Sequence, residues 1–262
     1  MKTYREHYLK CKKIFGSKPD LDIRDISLKL NCFEKSIPEK LIKLIDDKVA
    51  ENMSKGKNII DTNWSRHLSG WDDIPEIGEL CKLVMPQIEK DFFGCNIKVE
   101  HLHIYENKKN ITLESSWEWH YDDAPQEYLK FAIYLNDVSE QNGCMQVVGD
   151  MDDFPVIDTY RTNPHSIKGY PPPVFPKTRV PKTYVDKLIK HGLKINSLTG
   201  KRGTHFLFTP NIIHRGTEPT QTSEPRRAIF FFIRPCLEKQ SDYLADARAL
   251  DDRAFTKKYK LD

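Results

Sequence analysis

The chain has 262 residues, 30% charged and 39% hydrophobic, and its 41 basic and 38 acidic side chains leave a formal net charge of +3. That length and composition fit one large soluble domain or two small ones able to bury a substantial core, and the near-balanced charge argues against nucleic acid as the main partner. No apolar run approaches the roughly 18 residues that a membrane span needs, and the charged start, Met1–His7, lacks the apolar core of a secretory signal.

The six cysteines (Cys11, Cys32, Cys81, Cys95, Cys144, Cys236) contain no Cys-x-x-Cys pair, so reduced thiols in a cytoplasmic protein are expected. Residues 1–25 predict a short helix and a loop. Ser36 reads as an N-cap, with Pro38 in the first turn and Glu39 completing a capping box. Leu41, Ile42, Leu44, Ile45 and Val49 then recur at helical spacing, which predicts an amphipathic helix over 38–54 and a turn at 56–58. Residues 61–73 are rich in turn formers and aromatics. A second helix carries Ile77, Leu80, Leu83, Val84, Ile88 and Phe92 on one face, with a kink or break expected at Pro86.

Ile97–Tyr105 alternates with period two, as a half-buried strand does. Further strands are expected at 115–121, 129–135, 144–148, 204–209, 211–215 and 226–234. Between 149 and 203 the rhythm breaks, and seven prolines interrupt it; only Pro181–Gly192 reads as helix. So long an irregular stretch predicts a lid, anchored by Tyr160, Tyr170, Phe175 and Tyr184. Helices followed by runs of strands predict a mainly β domain, an antiparallel barrel or sandwich with supporting helices.

The chemistry concentrates in two stretches, Trp117-Glu118-Trp119-His120-Tyr121-Asp122-Asp123 and Asn211-Ile212-Ile213-His214-Arg215-Gly216. On a strand, His120 and Asp122 project to the same side, and His214 supplies a third ligand from a strand distant in sequence. Two histidines and one carboxylate are the facial set that holds a non-haem Fe(II) and leaves its other sites open. Asp123 is the rival carboxylate, with the opposite parity. Arg226 opens the apolar run Arg226–Ile233, where a buried cation needs an anionic partner; its fork suits the far carboxylate of a dicarboxylate, and Arg227 is its rival. His101 and His103 suggest a cupin-type pair but lack a carboxylate and second His at suitable spacing. His205 reads as a strand residue with a local hydrogen bond.

The order His-x-Asp, then Tyr134-Leu135-Asn136-Asp137-Val138, Glu140–Val148, Gly203-Thr204-x-x-Leu207-Phe208, Ile212-Ile213-His214-Arg215-Gly216 and Arg226-Arg227-Ala228-Ile229 resembles the phytanoyl-CoA dioxygenase-like Fe(II)/2-oxoglutarate oxygenases. The resemblance covers about 97–235. It implies a double-stranded β-helix (jelly-roll, cupin-like) core, iron held at His120, Asp122 and His214, and 2-oxoglutarate held by Arg226. It also implies that O2 is consumed and an unactivated C–H hydroxylated, with release of succinate and CO2. The family's Pro-Gly-Ser/Thr-His segment is replaced here by Gly149-Asp150-Met151-Asp152. The expected organisation is a single domain. Residues 1–96 would give helical support, 97–148 and 203–235 the jelly-roll core, 149–202 a lid insertion and 236–262 a tail.

Between 161 and 202 stand ten basic residues against the single acid Asp186, which suggests either a solvated lid face or recognition of an anionic or carrier-linked substrate. Arg179, Lys177 and Trp117 are candidate substrate contacts. A small-molecule hydroxylase is the leading expectation. A non-catalytic jelly-roll binding protein and an oxygenase acting on a protein side chain are the competing ones. Asp122 fills the position that a halide would need, which disfavours halogenation.

Overall fold

The computed structural model of the protein describes residues 4–16, 22–33, 37–63, 65–108, 115–122, 124–150, 154, 156–158, 166–167, 178–220 and 224–249. In chain order the helices are α1 (Tyr4–Phe15), α2 (Glu39–Lys55), α3 (Pro75–Ile88) and α4 (Lys182–Lys190). The strands are β1 (Leu28–Leu30), β2 (Ile59–Asp61), β3 (Ser65–Leu68), β4 (Ile97–Asn107), β5 (Leu129–Tyr134), β6 (Met145–Gly149), β7 (Ile157–Asp158), β8 (Ser166–Ile167), β9 (Lys194–Leu198), β10 (His205–Phe208), β11 (His214–Gly216) and β12 (Arg227–Pro235).

Two antiparallel sheets face each other as a jelly-roll. The larger has the order β1-β10-β5-β12-β4-β3-β2, the smaller β11-β6-β9. Alternation along the strands decides which side chains lie between them. From the larger sheet, Ala132, Tyr134, Phe206, Phe208, Ala228 and Phe230 pack against Met145, Val147 and Leu198 of the smaller one. Their sequence neighbours Phe131, Ile133, Leu207, Ile229, Phe231 and Ile233 point the other way, onto the apolar stripes of α2 and α3. Strand β5 is buried on both faces, so its single cation, Lys130, stands out. A third cluster places Val185 and Leu188 of α4 on Trp119, Tyr121, Val148 and Ile213.

Several expectations need correcting. Residues 115–121 do not form a strand: Ser115–Trp117 is a 3-10 turn, and His120 alone makes a β-bridge. The partner strand β11 is three residues long and pairs fully with β6, while toward His120 only His214 bridges. The N-terminal portion is not purely helical, since β1, β2 and β3 extend the larger sheet at both edges. The insertion also contributes a sheet strand: β9 pairs with β6 along its whole length. Pro38 itself takes the cap position of α2 with no side-chain cap; Ser36 lies outside the described residues. Helix α3 runs through Pro86 undivided and loosens just beyond it into a π turn at Glu89–Phe93, and Leu83 is exposed. In the tail, Leu244 and Ala247 are buried in the helical core cluster. Tyr160, Tyr170 and Phe175 of the expected lid lie outside the described residues. No helix among the described residues is long and apolar enough to cross a membrane.

Candidate metal centre

The two histidines meet through their backbones. His120 N donates to His214 O and His214 N to His120 O, both at 2.9 Å, so one antiparallel bridge sets the imidazoles side by side with centroids 4.2 Å apart. The segment beyond is fixed by three further bonds. Asp122 N donates to Pro210 O at 3.1 Å, Ala124 N donates to Asn211 Oδ1 at 3.0 Å, and Asn211 Nδ2 donates to Ala124 O at 2.6 Å. The Asn211 amide thus clamps the chain just after Asp122, and the carboxylate is held by neighbours rather than by a long ladder.

Asp122 Oδ1 lies 3.8 Å from His120 Nε2 and Oδ2 lies 3.4 Å from His214 Nε2. The three ligand atoms fall within 4.8 Å of one another, the only such cluster of three among the described residues. Each imidazole Nδ1 sits 2.8 Å from a backbone carbonyl two residues back, Glu118 O for His120 and Ile212 O for His214. A carbonyl only accepts, so Nδ1 carries the hydrogen and Nε2 keeps its lone pair toward Asp122. Charge agrees with this tautomer. Burial pushes the His120 imidazolium down, and burial together with the neighbouring His120 pushes His214 down to about 3, so both rings are neutral near pH 7. Burial would raise the Asp122 carboxyl, but Lys130 and the two histidines outweigh it and hold the group well below the usual carboxylate range. Two neutral nitrogen donors and one carboxylate oxygen on one side form a facial set that fits a divalent iron.

The three side chains line a cavity of about 110 Å³ together with Tyr105, Asn107, Trp117, Met145, Phe230, Phe232 and the cations Lys130, Arg215 and Arg226. Arg226 is 3% exposed. Its Nη2 donates to Tyr105 Oη at 3.3 Å and to Asn107 Oδ1 at 3.2 Å, while Nε and Nη1 are buried without a partner among the described residues. Burial would lower the guanidinium and the nearby Tyr105 and Tyr134 phenols raise it, with the net shift upward, so it stays charged. A buried cation with two free donors on the wall of a pocket calls for an anion with paired oxygens, which is what the far carboxylate of a dicarboxylate offers.

Arg227 turns away. Its Nε and Nη2 grip Asp46 of α2 at 2.6 and 3.1 Å. Trp117 lines the pocket, with its indole nitrogen buried and without a partner among the described residues. Arg179 lies next to His120 in the backbone, but its guanidinium faces Glu118 at 3.5 Å and does not line the cavity. Lys177 and Asp123 lie outside the described residues. His103 lines the cavity beside His67. His101 flanks it on β4, and among the described residues none of these rings belongs to a three-ligand metal cluster. His205 accepts from Phe33 N at 2.9 Å and holds Gly203 O through Nδ1 at 2.9 Å, which ties β10 to the N-terminal segment.

Sequence reasoning missed Lys130, Asn107, Tyr105 and Asn211. Lys130 donates to Asp122 Oδ2 at 2.6 Å, and its ammonium lies 4.3 Å from the centre of the Phe232 ring. A lone charge inside the apolar run Leu129–Tyr134 was the signal available for it. Asn107 and Asn211 act through backbone and guanidinium contacts that no spacing rule announces.

No family model and no curated protein matches the sequence. Solved structures do resemble the fold. The non-heme α-ketoglutarate-dependent carbocyclase SnoK from nogalamycin biosynthesis aligns over 90% of both chains with a TM-score of 0.54 at 11% identity. EctD from S. alaskensis with bound Fe aligns over 85% of this chain and 80% of its own, with a TM-score of 0.53 at 15% identity. HygX from Streptomyces hygroscopicus with nickel, 2-oxoglutarate and hygromycin B bound aligns over 86% and 90%, with a TM-score of 0.51 at 12% identity. At these identities the likeness concerns the fold.

Proposed function

We propose that this protein is an Fe(II)- and 2-oxoglutarate-dependent oxygenase that hydroxylates an unactivated C–H of a small molecule and releases succinate and CO2. The observation that carries the reading is the conjunction in one cavity of the His120–Asp122–His214 cluster and the half-unpartnered Arg226. Two of the like-folded proteins were solved with iron, or with nickel and 2-oxoglutarate, which supports the same groups here.

Nε2 of His120 and of His214 and one oxygen of Asp122 would hold the metal, and Nε and Nη1 of Arg226 would hold the far carboxylate of 2-oxoglutarate. The bound iron supplies oxygen activation coupled to decarboxylation of the co-substrate; one oxygen atom ends in succinate and the other in the product hydroxyl. The chain's own part is positional. The carbonyls of Glu118 and Ile212 keep each imidazole in the ligating tautomer. Asn107 and Tyr105 aim the Arg226 fork by occupying Nη2. Phe230, Phe232, Met145 and Trp117 give the cavity apolar walls that exclude water from the reacting carbon.

The reading is tested by adding Fe(II) and then 2-oxoglutarate without oxygen. A weak visible charge-transfer band that needs both is expected, and a succinate-release screen over amino acids, acyl carriers and phosphorylated or sugar compounds then finds the substrate. No band at saturating concentrations of both would overturn the reading.

A further inference from the structure

We propose that Lys130 is the anchor for an anionic group of the substrate, taken up when Asp122 turns its charge to the metal. The inference rests on the iron and 2-oxoglutarate reading above and names the substrate class that such a site accepts.

The cavity wall carries three cations, Lys130, Arg215 and Arg226, against one carboxylate, Asp122. Arg215 leans on neutral groups, the Gln146 side-chain oxygen at 3.0 and 2.9 Å and the Trp119 ring at 4.3 Å. Among the described residues, Asp122 is the only carboxylate paired with Lys130, at 2.6 Å. The Lys130 side chain is 8% exposed, so its charge cannot be left to bulk water. In the loaded site, the charges of a divalent ion would be met by Asp122 and the near carboxylate of 2-oxoglutarate, and Arg226 by the far carboxylate. Arg215, which is part-exposed, and Lys130 are then the cations left over, and Lys130 is the buried one, with only a share of the Asp122 charge. A neutral substrate would leave it without an anion of its own, whereas an anionic group beside it supplies one.

Position agrees with charge. Lys130 pairs with Phe232 across β5 and β12, while Arg226 precedes β12 at its other end. Six residues of strand span roughly 20 Å, so the two cations start from well-separated points of the pocket wall, with the Lys130 ammonium beside the metal ligand Asp122. Around Lys130 the wall is aromatic: Phe232 and His103 have centroids 5.0 Å apart, and the Phe208 ring centre lies 5.9 Å from the ammonium. That end therefore fits an apolar carbon frame bearing one anionic group, and the single ammonium at that end favours a carboxylate over a phosphate dianion.

The test loads the protein with Mn(II) and saturating 2-oxoglutarate and titrates it with 13C-acetate, 13C-acetamide or inorganic phosphate, reading paramagnetic relaxation of the probe. Saturable relaxation of acetate in the wild type is expected, with no effect on acetamide. The acetate dissociation constant should rise at least about 10-fold in Lys130→Met and stay near wild type in Lys130→Arg. Equal relaxation of acetate and acetamide, or acetate affinity unchanged in Lys130→Met, overturns the proposal. Lys130-dependent relaxation of phosphate alone overturns the carboxylate assignment. The Fe(II)/2-oxoglutarate band is measured on the same proteins. If it is absent from the wild type, the parent reading fails. If it is present in the wild type but lost in Lys130→Met and restored in Lys130→Arg, Lys130 serves only to hold Asp122 and the anchor role is overturned.

Discussion

Arg226 and Arg227 are consecutive, yet their guanidinium groups serve opposite sides of the larger sheet. Arg227 reaches Asp46 of α2 at 2.6 Å, while Arg226 stays in the cavity with two unpartnered nitrogens. Their substitutions should therefore separate binding from stability. Arg226→Met should raise the 2-oxoglutarate dissociation constant about 100-fold or more with little change in unfolding free energy. Arg227→Met strips the main partner from Asp46, whose side chain is 5% exposed and among the described residues keeps only Arg202 at 3.4 Å. We expect it to cost about 2–4 kcal/mol of stability with co-substrate affinity retained. Urea unfolding and 2-oxoglutarate titration of both variants check the pair, and the reverse pattern would exchange their roles.

Each member of the metal cluster should be individually necessary. His120→Ala or Asp122→Ala is expected to abolish substrate-dependent succinate formation, and full turnover by either purified variant would contradict the assignment. A readout independent of turnover is available. Metal that binds only the folded chain stabilises it by about 2.7 kcal/mol at 100 times its dissociation constant. Mn(II) should raise the wild-type melting temperature and leave that of either variant in place.

Much of this site was legible because its chemistry depends on residue types that are rarely placed together. His120, Asp122 and His214 stand in the order the triad needs, and the structure brings them within 4.8 Å. Their local structure was less legible. The expected strand at 115–121 is a 3-10 turn followed by two isolated bridges of His120, to Arg179 and to His214, because pairing there depends on where segments distant in sequence, such as those of Thr178 and Pro210, come to lie. Strand β9 was hidden for a related reason. Lys194–Leu198 is polar in sequence, with Ile195 exposed, and it becomes a strand only by pairing with β6. What separates Arg226 from its rival Arg227 physically is a buried aspartate on a helix distant in sequence, which no spacing rule announces.

Acid should destabilise the metal-free protein from a definite point. In the unfolded chain an imidazole takes its proton near 6.5, whereas His214 stays neutral in the folded protein down to about 3 and His120 is shifted in the same direction. Between those limits the unfolded state binds more protons, so stability rises with pH; the contribution is fully present above about 6.5 and is lost as pH falls toward 3. The slope should reach up to about 1.4 kcal/mol per pH unit for each imidazole. Urea unfolding of chelator-treated protein at pH 7, 6, 5 and 4 measures it. His214→Gln should flatten the dependence, and an unchanged slope in that variant would place the titrating groups elsewhere.

Gly143 touches nothing in the cavity, yet it should control co-substrate affinity through Asn107. It closes the turn before β6 with φ +92°, a conformation that L side chains adopt at a cost. A Cβ there would run into the Asn107 amide nitrogen and lie 2.9 Å from Thr217 O. Asn107 cannot yield freely, since Nδ2 donates to Gly143 O at 3.0 Å while Oδ1 accepts from Arg226 Nη2 at 3.2 Å. The same turn holds Arg226 by its backbone, whose N–H donates to Asn142 O at 3.1 Å. Gly143→Ala should therefore lower stability by about 1–3 kcal/mol and weaken 2-oxoglutarate about 10-fold, while leaving Mn(II) affinity near wild type. Asn107→Ala, which removes the aiming acceptor without crowding the turn, should reproduce most of the affinity loss. If Gly143→Ala loses stability but binds 2-oxoglutarate normally, the turn and the Arg226 fork are uncoupled.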